Sequence, residues 1–246
     1  MTHTRSDEKL DLASIPCYNT PLKLPKRGTL FELLIPVVSL LTVVLGITIH
    51  EFSHALSADL LGDSTARYQG RLTLNPLAHF DPLGGLMILV SSISGFGFGW
   101  GKPVPVNPIN LRFGPRVGMA ITSFAGPFSN VLLATLLAVP LRLLPRLPAV
   151  AQIALYTGVS VNVALAVFNL LPIHPLDGFK VLRGLVATVR TRWAYNLSDV
   201  LDQMLRLGPM VFMGLLLIDR ILPPPGVIWT ILGPVHRLLM RLILGG

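Results

Sequence analysis

Long apolar runs, separated by short polar stretches, dominate the chain after residue 28. About 20 apolar residues in a helix suffice to cross a bilayer. We count four expected membrane spans and one or two further candidates. The apolar runs are Phe31–Leu61, Leu83–Phe98, Val117–Leu144, Val150–Leu171, Gly208–Leu222 and Val227–Leu244. The pattern predicts an all-α polytopic membrane protein built as a bundle of about five to six membrane helices.

Three shorter stretches between these runs have their own patterns. Residues Arg67–Leu74 alternate polar and apolar side chains, which predicts a small membrane-associated β-hairpin region. Residues Lys102–Pro108 carry prolines at positions 103, 105 and 108, so they must be extended. Residues Leu176–Val189 begin with an aspartate and carry two basic residues, a pattern typical of an interfacial amphipathic helix. These segments divide the chain into a polar tail (1–28), a membrane core (29–190) and a C-terminal polar segment with closing membrane helices (191–246).

Composition excludes several protein classes. Of the 246 residues 52% are apolar and 13% are charged, against roughly 25% charged in soluble domains. The chain is therefore neither water-soluble nor disordered. The one cysteine, Cys17, excludes an intramolecular disulfide and a thiolate metal site, so any metal must be held by His, Asp or Glu.

The formal charge of +8 comes from basic residues scattered between the apolar runs. Basic residues beside membrane spans usually set the orientation of a membrane protein. No basic block interleaved with aromatic residues is present, so we expect the lipid bilayer, and not nucleic acid, as the partner of this charge.

The strongest chemical signal is His50-Glu51-Phe52-Ser53-His54, near the end of the first apolar run. Histidines four residues apart lie on one face of a helix, with a rise of about 6 Å between them. Two imidazoles in that arrangement can bind one zinc ion. Glu51, rotated about 100° around the helix, could accept a proton from a water on the metal. Because ionisable groups in a span are costly, this cluster predicts a metal site.

A catalytic zinc site usually has three protein ligands. The third ligand is left open by the residues alone, and the candidates are Asp177, His174, Asp81, His79 and Asp219. Asp177 follows two prolines, Pro172 and Pro175, that interrupt the end of a span. Non-helical backbone at membrane depth is tolerated only where it packs in protein or lines a wet cavity.

These motifs closely resemble those of the site-2 protease family of intramembrane zinc metalloproteases, in its compact subgroup without a PDZ or CBS domain. The resemblance covers about Ile47 to Leu182. Besides His50–His54, it consists of the motif Asn169, Pro172, Leu176, Asp177 and Gly178, and of the stretches Gly70–Gly84, Lys102–Pro108 and Ala125–Asn130. The membrane core 29–190 would then be the metalloprotease core.

The resemblance implies a role for each matching residue. One zinc ion would be held by His50, His54 and Asp177, and Glu51 would be the general base and acid. Asn169 would orient or polarise the substrate carbonyl, and Asn130 would serve packing or substrate positioning. The expected reaction is hydrolysis of a peptide bond within or near a transmembrane segment of a membrane-protein substrate. His174 departs from the family pattern, which makes it a candidate for supporting a ligand or replacing one.

An unwound substrate could pair with an extended segment by strand addition. Candidate segments are Arg67–Leu74 and Lys102–Asn107, and in the second we expect Val104 and Val106 to bind substrate; lining the cavity mouth is the alternative. Two other functions remain open: a metal-ion transporter, and a proteolytically silent membrane chaperone of the same fold.

We expect a multi-pass integral protein of the cell membrane of a prokaryote. The tail charges favour a cytoplasmic N-terminus, whereas the family likeness and the more numerous loop charges place the active site near the cytoplasmic face. The second orientation is the one we predict. The sequence indicates neither the natural substrate nor the oligomeric state.

Overall fold

The computed structural model of the chain describes residues 29–87, 101–144, 146–223 and 226–246. Helices and short turns make up this part of the chain, and it contains no β-strand. Residues 82–87 are helical up to the edge of the described range. The other α-helices are α1 (Thr29–Leu60), α2 (Thr65–Tyr68), α3 (Gly114–Leu143), α4 (Ala149–Asn169), α5 (Asp177–Thr188), α6 (Arg192–Ile221) and α7 (Gly226–Leu244).

Five of these helices are long and apolar enough to cross a membrane: α1, α3, α4, α6 and α7. Many of their large apolar side chains are exposed, such as Leu41, Leu136 and Leu217. An exposed apolar surface of this extent fits a lipid environment and not water. For the described residues, the prediction of an all-α bundle is therefore confirmed, with five helices that could each cross a membrane.

Helix α3 lies at the centre of the bundle and packs against α1, α4 and α5. Small residues on α3, including Ala134 and Ala138, let it approach α4 closely. On α4 they meet Val159 and Val163, and α7 closes this core with Leu232, Met240 and Ile243. This core fixes α3 against α4, and both helices also pack against α1, which carries the histidine pair.

The predicted β-hairpin at Arg67–Leu74 is wrong. Residues Thr65–Tyr68 form a single helical turn, and the chain then turns at Gly70, whose φ is +67°. The backbone N–H of Arg71 donates to the Ala66 carbonyl at 2.8 Å, which closes that turn. The apolar positions of the alternating pattern do not form a buried face, because Tyr68 and Leu74 are exposed and the buried residue of this stretch is Arg71.

Other expectations have mixed outcomes. Residues 102–107 contain no helix, as their prolines require. Helix α5 occupies the stretch predicted as an amphipathic helix. The polar stretch after residue 190 is continuous with the following apolar run in one helix, α6. Most of the run Leu83–Phe98, like the tail 1–28, lies outside the described residues, and the division into three regions stays a prediction.

A network around Asp63 holds the end of α1 against the chain before α3. Asp63 is fully buried, and its carboxylate accepts hydrogen bonds from Thr65, Asn107 and Asn110. The N–H of Arg112 donates to the Leu61 carbonyl at 2.8 Å. The segment from residue 64 to residue 106 therefore starts and ends at the same end of α1.

Candidate metal centre

His50 and His54 lie on one face of α1, one helical turn apart. Their rings meet edge to face with centroids 4.6 Å apart, and both residues are buried. The intervening Ser53 donates its hydroxyl hydrogen to the Ile49 carbonyl at 2.7 Å. Its polar group is thus satisfied within the helix, so only the two imidazoles and Glu51 need partners from other parts of the chain.

Asp177 reaches the histidines because the chain turns sharply after α4. Pro172 and Pro175 prevent the helix from continuing, and tight turns fill the gap up to Leu176. Asp177 is then the first residue of α5. Its Oδ2 atom lies 3.1 Å from His50 Nε2 and 3.0 Å from His54 Nε2.

The other ring nitrogen of each histidine has a fixed acceptor. His50 Nδ1 lies 2.6 Å from Asn130 Oδ1, and His54 Nδ1 lies 2.7 Å from the Thr122 carbonyl oxygen. The Asn130 Nδ2 group donates to the Gly46 carbonyl and to Asn162 Oδ1, which identifies its Oδ1 atom as an acceptor. Each Nδ1 must therefore carry the hydrogen, and a neutral ring presents a lone pair at Nε2.

This donor set fits a metal ion. Two Nε2 lone pairs and one carboxylate oxygen converge, with the ligand atoms within 4.8 Å of one another. With both rings neutral, these atoms offer only lone pairs to one another, and a cation between them would remove their mutual repulsion. A tetrahedral zinc ion with bonds of about 2.0–2.1 Å separates its ligand atoms by roughly 3.3 Å, close to the observed spacing. Histidine ligands whose Nδ1–H donates to an amide or carbonyl oxygen are a common arrangement in zinc sites.

Close approach of α3 to the histidines depends on Gly126. A Cβ atom added there would lie 2.5 Å from His54 Nε2 and 2.7 Å from His50 Cε1. Because neither ring can withdraw without losing its Nδ1 partner, no larger residue fits here. The glycine lets α3 cover the pair while α3 also supplies Asn130 and the Thr122 carbonyl.

Glu51 lies beside the three converging side chains and is not one of them. Its Oε2 atom accepts a hydrogen bond from the Val104 N–H at 3.0 Å. The extended segment 102–107 therefore touches the predicted general base directly. Val104 and Val106 are both partly buried, and their predicted contact with substrate stays a prediction.

The remaining predicted site residues have partners of their own. Asn169 donates to the Leu165 carbonyl in its own helix, and Asn130, fully buried, contacts His50. Their predicted roles toward substrate stay predictions. The other ligand candidates lie outside the converging group: His79 bonds to the Thr73 carbonyl, Asp81 accepts from Gly84 N–H, Asp219 accepts from Ile228 N–H, and His174 packs on Phe179.

His174 is not brought to the metal-ligand atoms. Its ring lies against Phe179, with centroids 5.5 Å apart, and its Nδ1 atom is buried without a hydrogen-bond partner. Burial, together with the nearby charges of Lys180 and Arg183, lowers the pKa of His174 below its usual value. The ring is thus neutral at neutral pH.

Three contacts of the site were not predicted from the sequence. Asn162, a polar residue within an apolar run, supports Asn130, and its position in a span was a usable signal. Lys180 Nζ lies 3.2 Å from Asp177 Oδ1, an i,i+3 contact on α5. The Thr122 carbonyl could not have been identified, because a backbone acceptor leaves no trace in residue types.

The sequence of the chain is similar to those of known proteins. The family model for peptidase family M50 matches residues 147–205, which include Asn169 and Asp177. "Putative zinc metalloprotease YwhC" of Bacillus subtilis is 40% identical over 154 residues, covering 59% of this chain and 68% of the relative. "Putative zinc metalloprotease Rip2" of Mycolicibacterium smegmatis is 33% identical over 145 residues, covering 56% of this chain and 53% of the relative. No solved structure matches the chain at a significant level.

Proposed function

The chain belongs to peptidase family M50, the site-2 proteases, and from this premise we propose that it is an intramembrane zinc endopeptidase. The family makes it a protease, and its apolar helices make it a multi-pass membrane protein. Our proposal adds the place of cleavage, within or near a transmembrane segment of a membrane-protein substrate, as in regulated intramembrane proteolysis. We further propose that the membrane is the cell membrane of a prokaryote.

The observation that carries the proposal is the convergence of His50 Nε2, His54 Nε2 and Asp177 Oδ2 near the end of an apolar helix. We propose that these three side chains hold one zinc ion. Zinc bound there would lower the pKa of a water molecule to about 7 and polarise the substrate carbonyl. Both effects allow peptide hydrolysis at a site with little bulk water.

Glu51 is the acid–base group of this proposal. Glu51 follows His50 directly in the sequence, and its carboxylate lies outside the group of ligand atoms. Of its two oxygens, only Oε2 has a hydrogen-bond partner among the described residues. Oε1 is available to take the proton of the attacking water and to return it to the leaving amine. Asn169, at the end of α4, is proposed to orient the substrate carbonyl.

The substrate is proposed to lie along the segment 102–107. Val104 and Val106 present their N–H and C=O groups on the same edge of an extended chain, because every second residue faces the same way. Glu51 occupies the Val104 N–H on that edge. Replacing Val106 with proline removes a pairing group without touching Glu51, so we expect slower cleavage; an unchanged rate would exclude pairing at Val106.

Neither alternative function is favoured. The relatives named above are all named as metalloproteases, whereas a transporter or a silent chaperone has no need of a carboxylate beside the ligand set.

Asn130 contacts His50 directly, and we propose that it also helps to position the substrate.

The test compares Glu51→Gln with the wild type, purified in detergent. The probe is a fluorescence-quenched peptide with a Leu/Ala transmembrane segment of about 20 residues and a central Gly-Ser pair. We expect the variant to retain zinc and to cleave roughly 10²–10⁴-fold more slowly. Glu32→Gln, in the same helix, is the matched control and should cleave normally. Wild-type rates in Glu51→Gln, or cleavage that survives zinc removal, would reject the proposal.

A further inference from the structure

One peptide group lies between a buried cation and the carboxylate of Glu51. This group joins Pro103 to Val104. Its N–H donates to Glu51 Oε2 at 3.0 Å, and its carbonyl oxygen accepts from Arg71 Nη2 at 3.2 Å. The same Nη2 atom also donates to the Lys102 carbonyl. Arg71 and Glu51 therefore interact through a single peptide unit.

Burial of the charged Arg71 side chain has an unfavourable free energy, which a purely structural contact would not require. Arg71 is 6% exposed, its Nε atom is buried without a hydrogen-bond partner, and it forms no ion pair with any acidic side chain in the described part of the chain. Removing a charge from water costs several kcal/mol even after relaxation. Arg67, four residues earlier, has the usual surroundings of a surface arginine, since it is exposed to solvent and forms an ion pair with Asp59.

The backbone around the shared peptide is stiff. Proline fixes φ at position 103, and Pro105 restricts Val104 to extended geometry. The Lys102 N–H donates to the His79 carbonyl at 2.8 Å, and the Asn107 N–H donates to Asp63 Oδ2 at 2.6 Å. Rotation of the Pro103–Val104 peptide is the freedom that remains, and the two carbonyl contacts of Arg71 remove it.

We propose that Arg71 is a positioning residue for Glu51. By holding the Pro103 and Lys102 carbonyls, Arg71 orients the Val104 N–H, and this N–H anchors Oε2 of Glu51 and leaves Oε1 for proton transfer. The guanidinium also polarises the peptide, which strengthens its N–H as a donor. This inference rests on the proposed role of Glu51 as the general base.

A kinetic test separates positioning from simple support of the segment. With the quenched transmembrane peptide as substrate, Arg71→Gln should lower kcat by about 10–100-fold, as expected for a displaced catalytic group. KM should stay within about twofold and zinc content should be unchanged, because Arg71 contacts neither the zinc ligands nor Val106, the pairing position that Glu51 leaves open. Arg67→Gln is the matched control and should keep the wild-type kcat. A wild-type kcat in Arg71→Gln would overturn the inference.

A double-mutant cycle tests the route of the effect. Val104→Pro removes the N–H that Glu51 accepts and keeps the segment extended. If Arg71 acts through that N–H, adding Arg71→Gln to Val104→Pro should lower kcat no further. Losses that multiply would mean that Arg71 acts by another route and would overturn the inference.

Hydrogen exchange provides a readout that needs no cleavage. Residues 102–107 contain only four backbone N–H groups, because two of the six residues are proline. In Arg71→Gln the Val104 N–H should exchange at least about tenfold faster than in the wild type, since its carboxylate partner is no longer held in line. Unchanged exchange would contradict the inference. If the wild type cleaves no peptide while this exchange effect is present, the proposed function fails and the Arg71 contact stands.

Discussion

Each of the three candidate metal ligands has a second partner that fixes its orientation. Asn130 holds His50, the Thr122 carbonyl holds His54, and Lys180 contacts the Asp177 oxygen that faces away from the imidazoles. In a low-dielectric interior such contacts are strong, and losing one leaves a polar atom unpaired. The geometry of the candidate site therefore depends on residues that would never touch the metal.

Replacing Asn130 with alanine tests this dependence. His50 Nδ1 would lose its acceptor, and the ring could then rotate or change tautomer. Loss of such a supporting contact typically lowers metal affinity about 10–100-fold. Zinc competition with a chromophoric chelator measures the effect, and Thr135→Ala, an exposed position on the same helix, is the control. Equal zinc affinity in Asn130→Ala and the wild type would show that His50 is oriented by other contacts.

At the residue scale, functional residues are predictable where a polar side chain occurs within an apolar stretch or directly after a helix-breaking proline. His50, Glu51 and His54 stand out because an apolar helix surrounds them, and Asp177 stands out because prolines precede it. The partner of Asn130 was not predictable, since it depends on the register between α1 and α3. The burial of Arg71 was not predictable, because its neighbours in the sequence do not distinguish it from an exposed loop charge.

At the element scale, Asp63 joins two parts of the chain that lie far apart in sequence. Burial alone would raise the pKa of its carboxyl, but hydrogen bonds from Thr65, Asn110 and Asn107 outweigh burial and lower the pKa below its usual value. The same bonds fix the start of the loop after α1 and the end of the segment 102–107. Asp63 thus sets where Val104 meets Glu51.

Replacing Asp63 with alanine should destabilise this junction. Two backbone and two side-chain donors lose their acceptor, and a buried unpaired donor costs about 1–3 kcal/mol. We expect a loss of roughly 2–4 kcal/mol, or several degrees in Tm, with zinc still bound to the histidines. Thermal unfolding in detergent checks this, with the exposed Asp199→Ala as control. A Tm equal to that of the control would contradict the role of Asp63.

The lowered pKa of Asp63 also predicts the direction in which the stability of the fold changes with pH. A carboxyl whose pKa is lower in the folded state stabilises the fold above its unfolded pKa of about 3.9. That contribution is lost as pH falls through the lower, folded pKa. The Tm difference between wild type and Asp63→Ala should therefore be constant near neutral pH and shrink only in acid. A difference that shrinks between pH 8 and pH 6 would exclude this origin.

Helices were predicted correctly where the length of an apolar run permits only a membrane helix. Four of the five candidate membrane helices begin and end close to the predicted apolar runs, because an apolar run of that length has few alternatives in a bilayer. Helix α6 is the exception, since it begins at Arg192, well before its predicted run at Gly208. The hairpin failed because alternation over eight residues is also produced by a chain that turns back on itself. The positive φ of Gly70 and the hydrogen bonds of Asp63 favour the turns over a hairpin. The bonds of Asp63 depend on residues such as Asn107, about 40 positions away in the sequence.

At the scale of the whole molecule, the candidate site lies at one end of the bundle. Residues 61–63 and 107–112 meet there, so the intervening chain returns to the side from which it left. Several basic residues gather at this end: Arg67, Arg71, Lys102, Arg112, Arg116, Lys180 and Arg183. Basic residues in short loops favour the cytoplasmic side.

Reporter fusions test this orientation. Helix α1 is long and apolar enough to cross the membrane once, so reporters inserted into the whole chain after residues 28 and 110 should report opposite sides. We expect alkaline phosphatase, which is active only outside the cytoplasm, to be active at residue 28 and inactive at residue 110. Activity at both positions or at neither would contradict a single crossing by α1, and the reversed pattern would contradict the assigned orientation.

The most direct test of the whole account is a crystal structure of the zinc-loaded protein with anomalous data collected at the zinc edge. We predict one strong peak, bonded at about 2.0–2.1 Å to His50 Nε2, His54 Nε2 and an oxygen of Asp177. Glu51 should lie close to the peak without binding it. A peak that includes His174 in place of Asp177, a peak elsewhere in the molecule, or no zinc at these three side chains would contradict the account.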